Sequence, residues 1–268
     1  MARAILEALR NLDVDYIMSS PGSEWGPLWE ALARQKVGNA PGPTYLSCWH
    51  ETLAVNLAWG YTAVTGRLQA VVLHAGAGLL QGSMGIHAAS VTGIPMVLMS
   101  GEALTYGDRP DFDPGRQWQG SLSVVGGPHA LMEPIVKWAN QATSPETLYE
   151  QVVRAGEMAQ RNPAGPVYLG VPIENMVHEW ARPDSLRKVP PAPKPEAPDA
   201  DIEAVAKLLV EAEAPAIITE AAGRQAEGFN ALVELADSLA IPVFENPSAK
   251  CANFPKSNPM YQGASFRP

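Results

Sequence analysis

The stretch VVLHAGAGLLQGSMGIHAASVTGIPMVLMSG, residues 71–101, decides the fold. Its first apolar run ends at His74, and a second apolar run covers residues 94–99. The segment between them, residues 75–93, is helix-like and contains no proline. Two continuous apolar strands that are joined by a helix indicate a parallel sheet covered on both faces.

The same alternation continues on both sides of this stretch. The patterns predict helices over 4–12, 25–35, 51–65 and 149–160, and strands over 14–18, 45–48 and 167–171. Gly66 follows an Ala- and Leu-rich run and predicts the end of a helix. The strand over 45–48 is expected to be buried. We therefore predict an α/β domain with a doubly wound, mostly parallel sheet over residues 1–181.

A proline-rich stretch, residues 182–200, follows this domain. It carries six prolines in nineteen residues. Proline at this density disfavours helices and sheet ladders, so we predict a linker. Residues 201–268 contain two further helix–strand pairs, which predict the first part of a second α/β domain. Because no element closes the layers of that second domain, we expect it to be incomplete.

The composition excludes several classes of protein. With 46% apolar and 18% charged residues among 268, the chain is too apolar to be wholly disordered. No apolar run is long enough to span a membrane, and charges occur too early for a secretory signal. A net charge of −9 argues against binding nucleic acid. Two cysteines cannot form a disulfide scaffold, so we expect a cytoplasmic protein that acts on a small molecule.

Residues at three predicted strand ends are candidates for chemistry. One is the turn PGSE, residues 21–24. Glu51 begins an apolar helix, where it either complements the helix dipole or is a poorly solvated carboxyl group that shares a proton with a ligand. His74 ends a strand beside small residues, where it is either a structural hydrogen-bonding partner or a group that transfers protons.

A polar, turn-rich loop over residues 108–116 follows the strand at 94–99. It is either solvated surface or part of an active site, and in the second case Gln117, Trp118 and Gln119 face inward. The sequence contains no Walker motif, no G-x-G-x-x-G and no G-x-S-x-G. Their absence argues against nucleotide-binding and α/β-hydrolase functions.

Taken together, five landmarks resemble the thiamine diphosphate-dependent decarboxylase and carboligase family, which includes acetolactate synthase and benzoylformate decarboxylase. They are PGSEWGPLWEAL (21–32), WHETLAVNLAWGYTAVTG (49–66), the stretch 71–101, VKWA (136–139) and GPVYLGVP (165–172). The resemblance implies that residues 1–181 are the pyrimidine-binding domain of this family and that residues 201–268 are part of its central domain.

The resemblance implies roles for four side chains. Glu51 falls on the family's glutamate that hydrogen-bonds a ring nitrogen of the cofactor's aminopyrimidine and activates it. His74, in the benzoylformate decarboxylase-like run LHAGAG, would transfer protons, and Ser23 would contact the substrate carboxylate. Gln119 falls near the family's Q-E pair and would bind substrate, although Gly120 replaces the acid.

The implied cofactor is thiamine diphosphate, in contact with Glu51, Pro21, Gly22, Gly76 and Gly78. The family binds Mg²⁺ and the diphosphate through a G-D-G motif and a later asparagine in a third domain, and this sequence does not carry that motif. We therefore expect no metal site in this chain and Mg²⁺ to be bound by a domain outside it. The resemblance also leaves room for FAD in the central domain.

The implied activity is a lyase or transferase reaction on a small-molecule 2-oxo acid, by decarboxylation, carboligation or both. The missing motif implies either a homodimer or tetramer of a longer chain, or a second subunit that carries the diphosphate-binding domain. We expect the 268 residues alone to bind the cofactor weakly and to turn over no substrate. Two other hypotheses stay open: a non-catalytic or regulatory paralogue that keeps the fold, and an unrelated doubly wound binding protein.

Overall fold

The computed structural model describes residues 1–20, 22–102 and 126–264. The chain divides into two compact units, Met1–Lys194 and Pro195–Pro268, and the division falls within the proline-rich stretch. Among the described residues, no helix has both the length and the apolar character that crossing a membrane requires.

A parallel sheet forms the centre of the first unit. Within the described residues its six strands are β1 (Tyr16–Ser19), β2 (Thr44–Ser47), β3 (Gln69–Leu73), β4 (Met96–Glu102), β5 (Trp138–Gln141) and β6 (Pro166–Pro172). They lie in the order β2-β1-β3-β4-β6-β5, and every neighbouring pair runs parallel. The predicted parallel sheet is confirmed.

Helices cover both faces of this sheet. They are α1 (Ala2–Asn11), α2 (Gly26–Val37), α3 (Glu51–Thr65), α4 (Gly76–Thr92), α5 (Gly127–Met132), α6 (Leu148–Gln160) and α7 (Ile173–Val177). One apolar cluster joins α1, α2 and α6 to one face, and a second joins α3, α4 and α5 to the other. Val71 and Val72 belong to different clusters, because neighbouring side chains of a strand point to opposite faces. The predicted doubly wound fold is therefore confirmed.

Most predicted elements lie within a few residues of the observed ones, but the two edge strands differ. Gly66 ends α3 with a φ of 69°, a left-handed conformation that favours glycine, as predicted. The prediction that residues 45–48 are buried is wrong for Leu46 and Ser47, which are exposed, whereas Cys48 is buried. Within the described residues the observed strand, β2, pairs with β1 alone at the edge of the sheet, so its side chains are largely exposed. The patterns do not predict β5, the opposite edge.

The beginning of the proline-rich stretch packs on the first unit. The side chain of Asn11 donates a hydrogen bond to the carbonyl of Arg187 and accepts one from the amide of Val189. Arg187 also forms a two-pronged ion pair with Glu157, with N–O distances of 2.7 and 3.1 Å. Leu186 and Val189 contact the apolar cluster of α1 and α6. This part of the stretch is therefore anchored.

The second unit is a smaller α/β arrangement. Its elements are α8 (Asp199–Glu211), β7 (Ile217–Thr219), α9 (Ala226–Leu239) and β8 (Val243–Glu245), with β7 and β8 parallel. A small core around Ala236, Val243 and Phe254 joins α9 to the two strands. Because α8 begins at Asp199, inside the stretch 182–200, the bounds of the linker and of the second domain stay predictions.

Candidate functional site

The candidate residues collect at the carboxyl edge of the sheet, where the chain changes direction. From β1 the chain leads to β2 on one side and then returns past β1 to β3, so the segments after β1 and β3 diverge. In open parallel sheets, ligands bind in the crevice at such a switch point. Gly22 and Glu24 follow β1, His74 follows β3, and Gly101 lies near the end of β4.

Glu51 is the first residue of α3, and its side chain is mostly covered. The ring of His50 caps this helix, because its Nδ1 accepts a hydrogen bond from the amide of Thr52 at 3.1 Å. The hydroxyl of Thr52 donates to the carbonyl of Gln81, which fixes the beginning of α3 against α4. Only 17% of the Glu51 side chain is exposed. The carboxyl group is thus held at a helix N-terminus with little access to water.

Gly78, in the first turn of α4, brings Glu51 and His74 together. A Cβ atom at this glycine would lie 2.9 Å from the Cβ of His74 and 3.4 Å from Cγ and Oε1 of Glu51. Both predicted catalytic side chains therefore lie close to the same point. A side chain at position 78 would press against His74, so the glycine permits the close approach of α4 to both residues.

His74 is paired with a residue to which the sequence patterns assign no role. Its Nδ1 lies 2.9 Å from each carboxylate oxygen of Glu24. The amide of Ala75 donates to the same carboxylate at 2.9 Å. Glu24 is fully buried, whereas 23% of the His74 side chain is exposed. The pair connects the segment after β1 to the residue that follows β3.

Two glycines and a tryptophan hold Glu24 in place. A Cβ at Gly22 would overlap with the carboxylate of Glu24 and with Nδ1 of His74, and a Cβ at Gly101 would overlap with Cγ of Glu24. The indole of Trp25 donates a hydrogen bond of 2.8 Å to the last carbonyl of β3, which fixes the turn after β1 on that strand. The side chain of Glu24 therefore has little freedom to leave His74.

The charge of Glu24 depends on its burial and on its partners. Burial raises the pKa of this carboxyl group above its ordinary value of 4.5, while the hydrogen bonds from His74 and Ala75 act in the opposite direction. Removal from water disfavours the charged form, and donors that converge on the carboxylate favour it. Carboxyl groups with a perturbed pKa occur preferentially at functional sites.

The other predicted site residues have different positions. Ser23 is exposed at the start of a 3₁₀ turn, where a ligand can reach its hydroxyl. Gly76 and Gly22 are both buried, and Gly76 is the first residue of α4. Outside the described residues lie Pro21, the loop over 108–116, Gln117, Trp118 and Gln119.

Two residues of the candidate site make contacts that the sequence patterns do not predict. Glu24 belongs to a turn that they identify, and its place at a strand end is the signal that points to it, because such ends face ligands. His50 occupies the N-cap position of α3, but histidine is not among the preferred N-cap residues, so no sequence signal indicates this role.

The surroundings of Glu51 fit a nitrogen-containing ring. A carboxyl group exchanges hydrogen bonds or a proton with a ring nitrogen, and no side chain at Gly78 separates Glu51 from His74. Across the described part of the chain, no three His, Cys, Asp or Glu side chains cluster in a way that suits a metal ion.

Comparison with known proteins finds a family model that is similar to the part of the chain that contains this edge of the sheet. Residues 1–123 match the model of the thiamine pyrophosphate enzyme N-terminal domain, which is described as a TPP-binding domain. The match covers 123 of the 268 residues. The matched residues contain the whole crevice, from Gly22 and Glu24 to Gly101.

Two curated relatives match residues 1–123 and most of the chain after them. Benzoylformate decarboxylase of Pseudomonas aeruginosa is 26% identical over 272 residues, covering 97% of this chain and 46% of the relative. Acetolactate synthase of Bacillus subtilis is 25% identical over 250 residues, covering 92% of this chain and 40% of the relative. The chain thus spans less than half the length of these relatives.

A solved structure shares the fold. The crystal structure of benzoylformate decarboxylase from Polynucleobacter necessarius matches with a TM-score of 0.81 and 23% identity, covering 98% of this chain and 46% of that chain. The α/β fold is therefore common to both.

Proposed function

We propose that the chain supplies the pyrimidine-binding part of a thiamine diphosphate- and Mg²⁺-dependent enzyme that acts on small 2-oxo acids by decarboxylation, carboligation or both. The domain match over residues 1–123 and the similarity to benzoylformate decarboxylase and acetolactate synthase support the proposal. Thiamine diphosphate, when bound, supplies the carbanion chemistry of such reactions. The chain's own residues bind, orient and exchange protons.

The position of Glu51 is the observation that carries the proposal. Its mostly covered carboxyl group lies at the switch-point edge, close to Gly78. A poorly solvated carboxyl group is suited to a hydrogen bond with a ring nitrogen, because little water competes for it. We assign that contact with the aminopyrimidine to Glu51. Pro21, Gly22, Gly76 and Gly78 are the proposed neighbours of the cofactor.

We assign proton transfer at the substrate to His74. Its ring is partly exposed, so a ligand in the crevice can reach it, and its Nδ1 is hydrogen-bonded to the carboxyl group of Glu24. Ser23 is the proposed contact for the substrate carboxylate, since its exposed hydroxyl lies on the same turn as Glu24. Gln119 is a second proposed substrate contact on the basis of the resemblance alone.

We propose that another protein surface, with the residues that bind Mg²⁺ and the diphosphate, completes the site. Six apolar side chains at helical spacing on α3 and α4 are 39% to 88% exposed: Leu53, Leu57, Val64, Leu80, Met84 and Val91. Exposed apolar patches are typical of protein–protein interfaces. The added surface belongs either to a longer form of this chain, as a homodimer or tetramer, or to a second subunit. We refer to either combination as the assembled enzyme.

Two further proposals concern the compartment and a flavin. Cys48 and Cys251 are both unpaired, which supports a reducing compartment, and we propose the cytoplasm. FAD remains a prediction of the resemblance alone.

Comparing the 268-residue chain with the assembled enzyme tests the proposed function. We expect calorimetry to detect only weak binding of thiamine diphosphate to the chain alone. Pyruvate and benzoylformate, supplied with cofactor and Mg²⁺, should be turned over only by the assembled enzyme. Catalysis by the chain alone would contradict the proposal.

Two further measurements on the assembled enzyme separate the other hypotheses. For a non-catalytic paralogue, Glu51→Gln in the assembled enzyme would leave every measured rate unchanged. For an unrelated binding protein, thiamine diphosphate would not change the melting temperature of the assembly. We expect Glu51→Gln to abolish most of the turnover and the cofactor to raise the melting temperature.

A further inference from the structure

We infer that Glu24 is a positioning residue that holds His74 in the tautomer with its proton on Nδ1, so that Nε2 is the ring atom that exchanges protons with a ligand. This inference deepens the proposed function and rests on it for the role of His74. The tautomer itself is a property of the chain without cofactor and is measured there.

The geometry of the pair determines which nitrogen carries the proton. Nδ1 of His74 lies 2.9 Å from both oxygens of Glu24, within hydrogen-bonding distance of each. An ionised carboxylate can only accept hydrogen bonds, so the nitrogen that faces it must donate. In a neutral imidazole the proton on Nδ1 leaves Nε2 with a lone pair.

The second donor to Glu24 favours the ionised carboxylate. The amide of Ala75 can only donate, and it is directed at Oε1 with a distance of 2.9 Å. A carboxylate that receives two N–H groups is stabilised in its charged form. A protonated Glu24 would instead donate from Oε2 to Nδ1 and leave the proton of His74 on Nε2. The two protonation states of the carboxyl group therefore give opposite tautomers of the ring.

Packing prevents Glu24 from adopting another position. Gly22 and Gly101 approach its side chain so closely that neither position accommodates a Cβ. Trp25, the next residue, is fully buried and hydrogen-bonded to the end of β3. Glu24 also contacts both the ring of His74 and the amide of Ala75, the next residue. These contacts fix the His74 ring relative to the backbone of His74 and Ala75. A side chain held in this way orients its partner persistently.

NMR spectroscopy on the 268-residue chain tests the inference. The chain is labelled with ¹⁵N at its five histidines, and long-range ¹H–¹⁵N correlations distinguish the two neutral tautomers of each ring. The signals of His74 are identified by their loss in His74→Gln. We expect the wild-type ring to carry its proton on Nδ1.

The isosteric variant Glu24→Gln gives the opposite expectation. The Ala75 amide requires the side-chain oxygen of the glutamine at the Oε1 position, which places the –NH₂ group next to Nδ1. The glutamine oxygen also lies within reach of Nδ1, but it already accepts from Ala75. Because –NH₂ can only donate, its hydrogens would oppose a proton on Nδ1, so the proton of His74 should move to Nε2. Glu30→Gln is the matched control, because Glu30 is a 65% exposed carboxylate on the adjoining α2, and it should leave the tautomer unchanged.

Two results would overturn the inference: a wild-type His74 with its proton predominantly on Nε2, or a Glu24→Gln chain that is folded by circular dichroism and keeps the proton on Nδ1. If Glu24→Gln does not fold, the wild-type spectrum still tests the inference. A role of Glu24 in closing the turn alone would not move the proton in the variant. Failure of thiamine diphosphate to bind the assembled enzyme would refute the proposed function and leave the tautomer result intact.

Discussion

The backbone of Gly101 in β4 packs directly against the side chain of Glu24. A Cβ at Gly101 would overlap with Cγ of Glu24, and its next two contacts are Cδ and Cβ of the same residue. Glu24 is fully buried. Because Gly101 has no side chain, the carboxyl group of Glu24 can lie against β4. This position of Glu24 in turn determines the orientation of His74.

Gly101→Ala should lower the free energy of unfolding by about 1–3 kcal/mol, the usual cost of overpacking a core. The added methyl group meets the inner part of the Glu24 side chain, which cannot rotate away as a flexible tip would. Gly60→Ala is the control. Gly60 lies within α3 with open space around it, so alanine there should stabilise by about 0.5–1 kcal/mol. Urea denaturation measures both, and equal effects of the two substitutions would contradict the packing.

Glu24→Gln should remove a pH dependence of stability. Since burial raises the pKa of Glu24 in the folded chain above 4.5, the folded state binds this proton more tightly than the unfolded state. The stability of the wild type relative to the variant should be constant below about pH 4.5, fall as the pH rises through the pKa of the folded state, and then level off. Denaturation curves across this range measure the difference. If the stability of the wild type relative to the variant increased with rising pH, this prediction would be contradicted.

Asn11→Ala should release the start of the proline-rich stretch. The substitution removes the two hydrogen bonds to Arg187 and Val189 and one of 2.8 Å to the hydroxyl of Tyr149. We expect a loss of about 1 kcal/mol or more and faster trypsin cleavage after Arg187 and Lys188. Asn230→Ala, at an exposed position within α9, is the control. Cleavage at the wild-type rate in the Asn11 variant would show that these bonds do not anchor the stretch.

Met84→Glu should weaken the association of the assembled enzyme by about tenfold or more, because it places a charge in the exposed apolar face of α3 and α4. Met84 is 75% exposed. Val37→Glu is the control, since Val37 is 90% exposed at the end of α2, away from that face. Sedimentation velocity at several concentrations measures both variants. Unchanged association of the Met84 variant would remove this face from the proposed interface.

Most of the fold can be predicted from the sequence because its central strands are continuous apolar runs. The run at 71–73 and the run at 94–99 both correspond to strands buried on two faces, which give the strongest pattern. The edge strand β2 is assigned correctly as a strand but wrongly as buried. Its apolar residues look the same in sequence as those of a central strand, and only the strand order places them at the edge.

Only part of the candidate site can be predicted from the sequence. Glu51 and His74 stand at predicted strand and helix ends, and their positions follow from the alternation of elements. The burial of Glu24 depends on Gly101, which lies on a different strand, and on the anchoring of Trp25. No local pattern contains these long-range contacts. An acidic residue in a polar turn therefore looks solvated until the sheet is assembled.

The most direct test of the central claim is the rate of hydrogen–deuterium exchange at the reactive carbon of thiamine diphosphate bound to the assembled enzyme. Proton transfer by a positioned group typically contributes 10²- to 10⁴-fold, so Glu51→Gln should slow this exchange about 100-fold or more. Glu30→Gln should leave it unchanged. Exchange at the wild-type rate in a Glu51→Gln enzyme that still binds the cofactor would contradict the account.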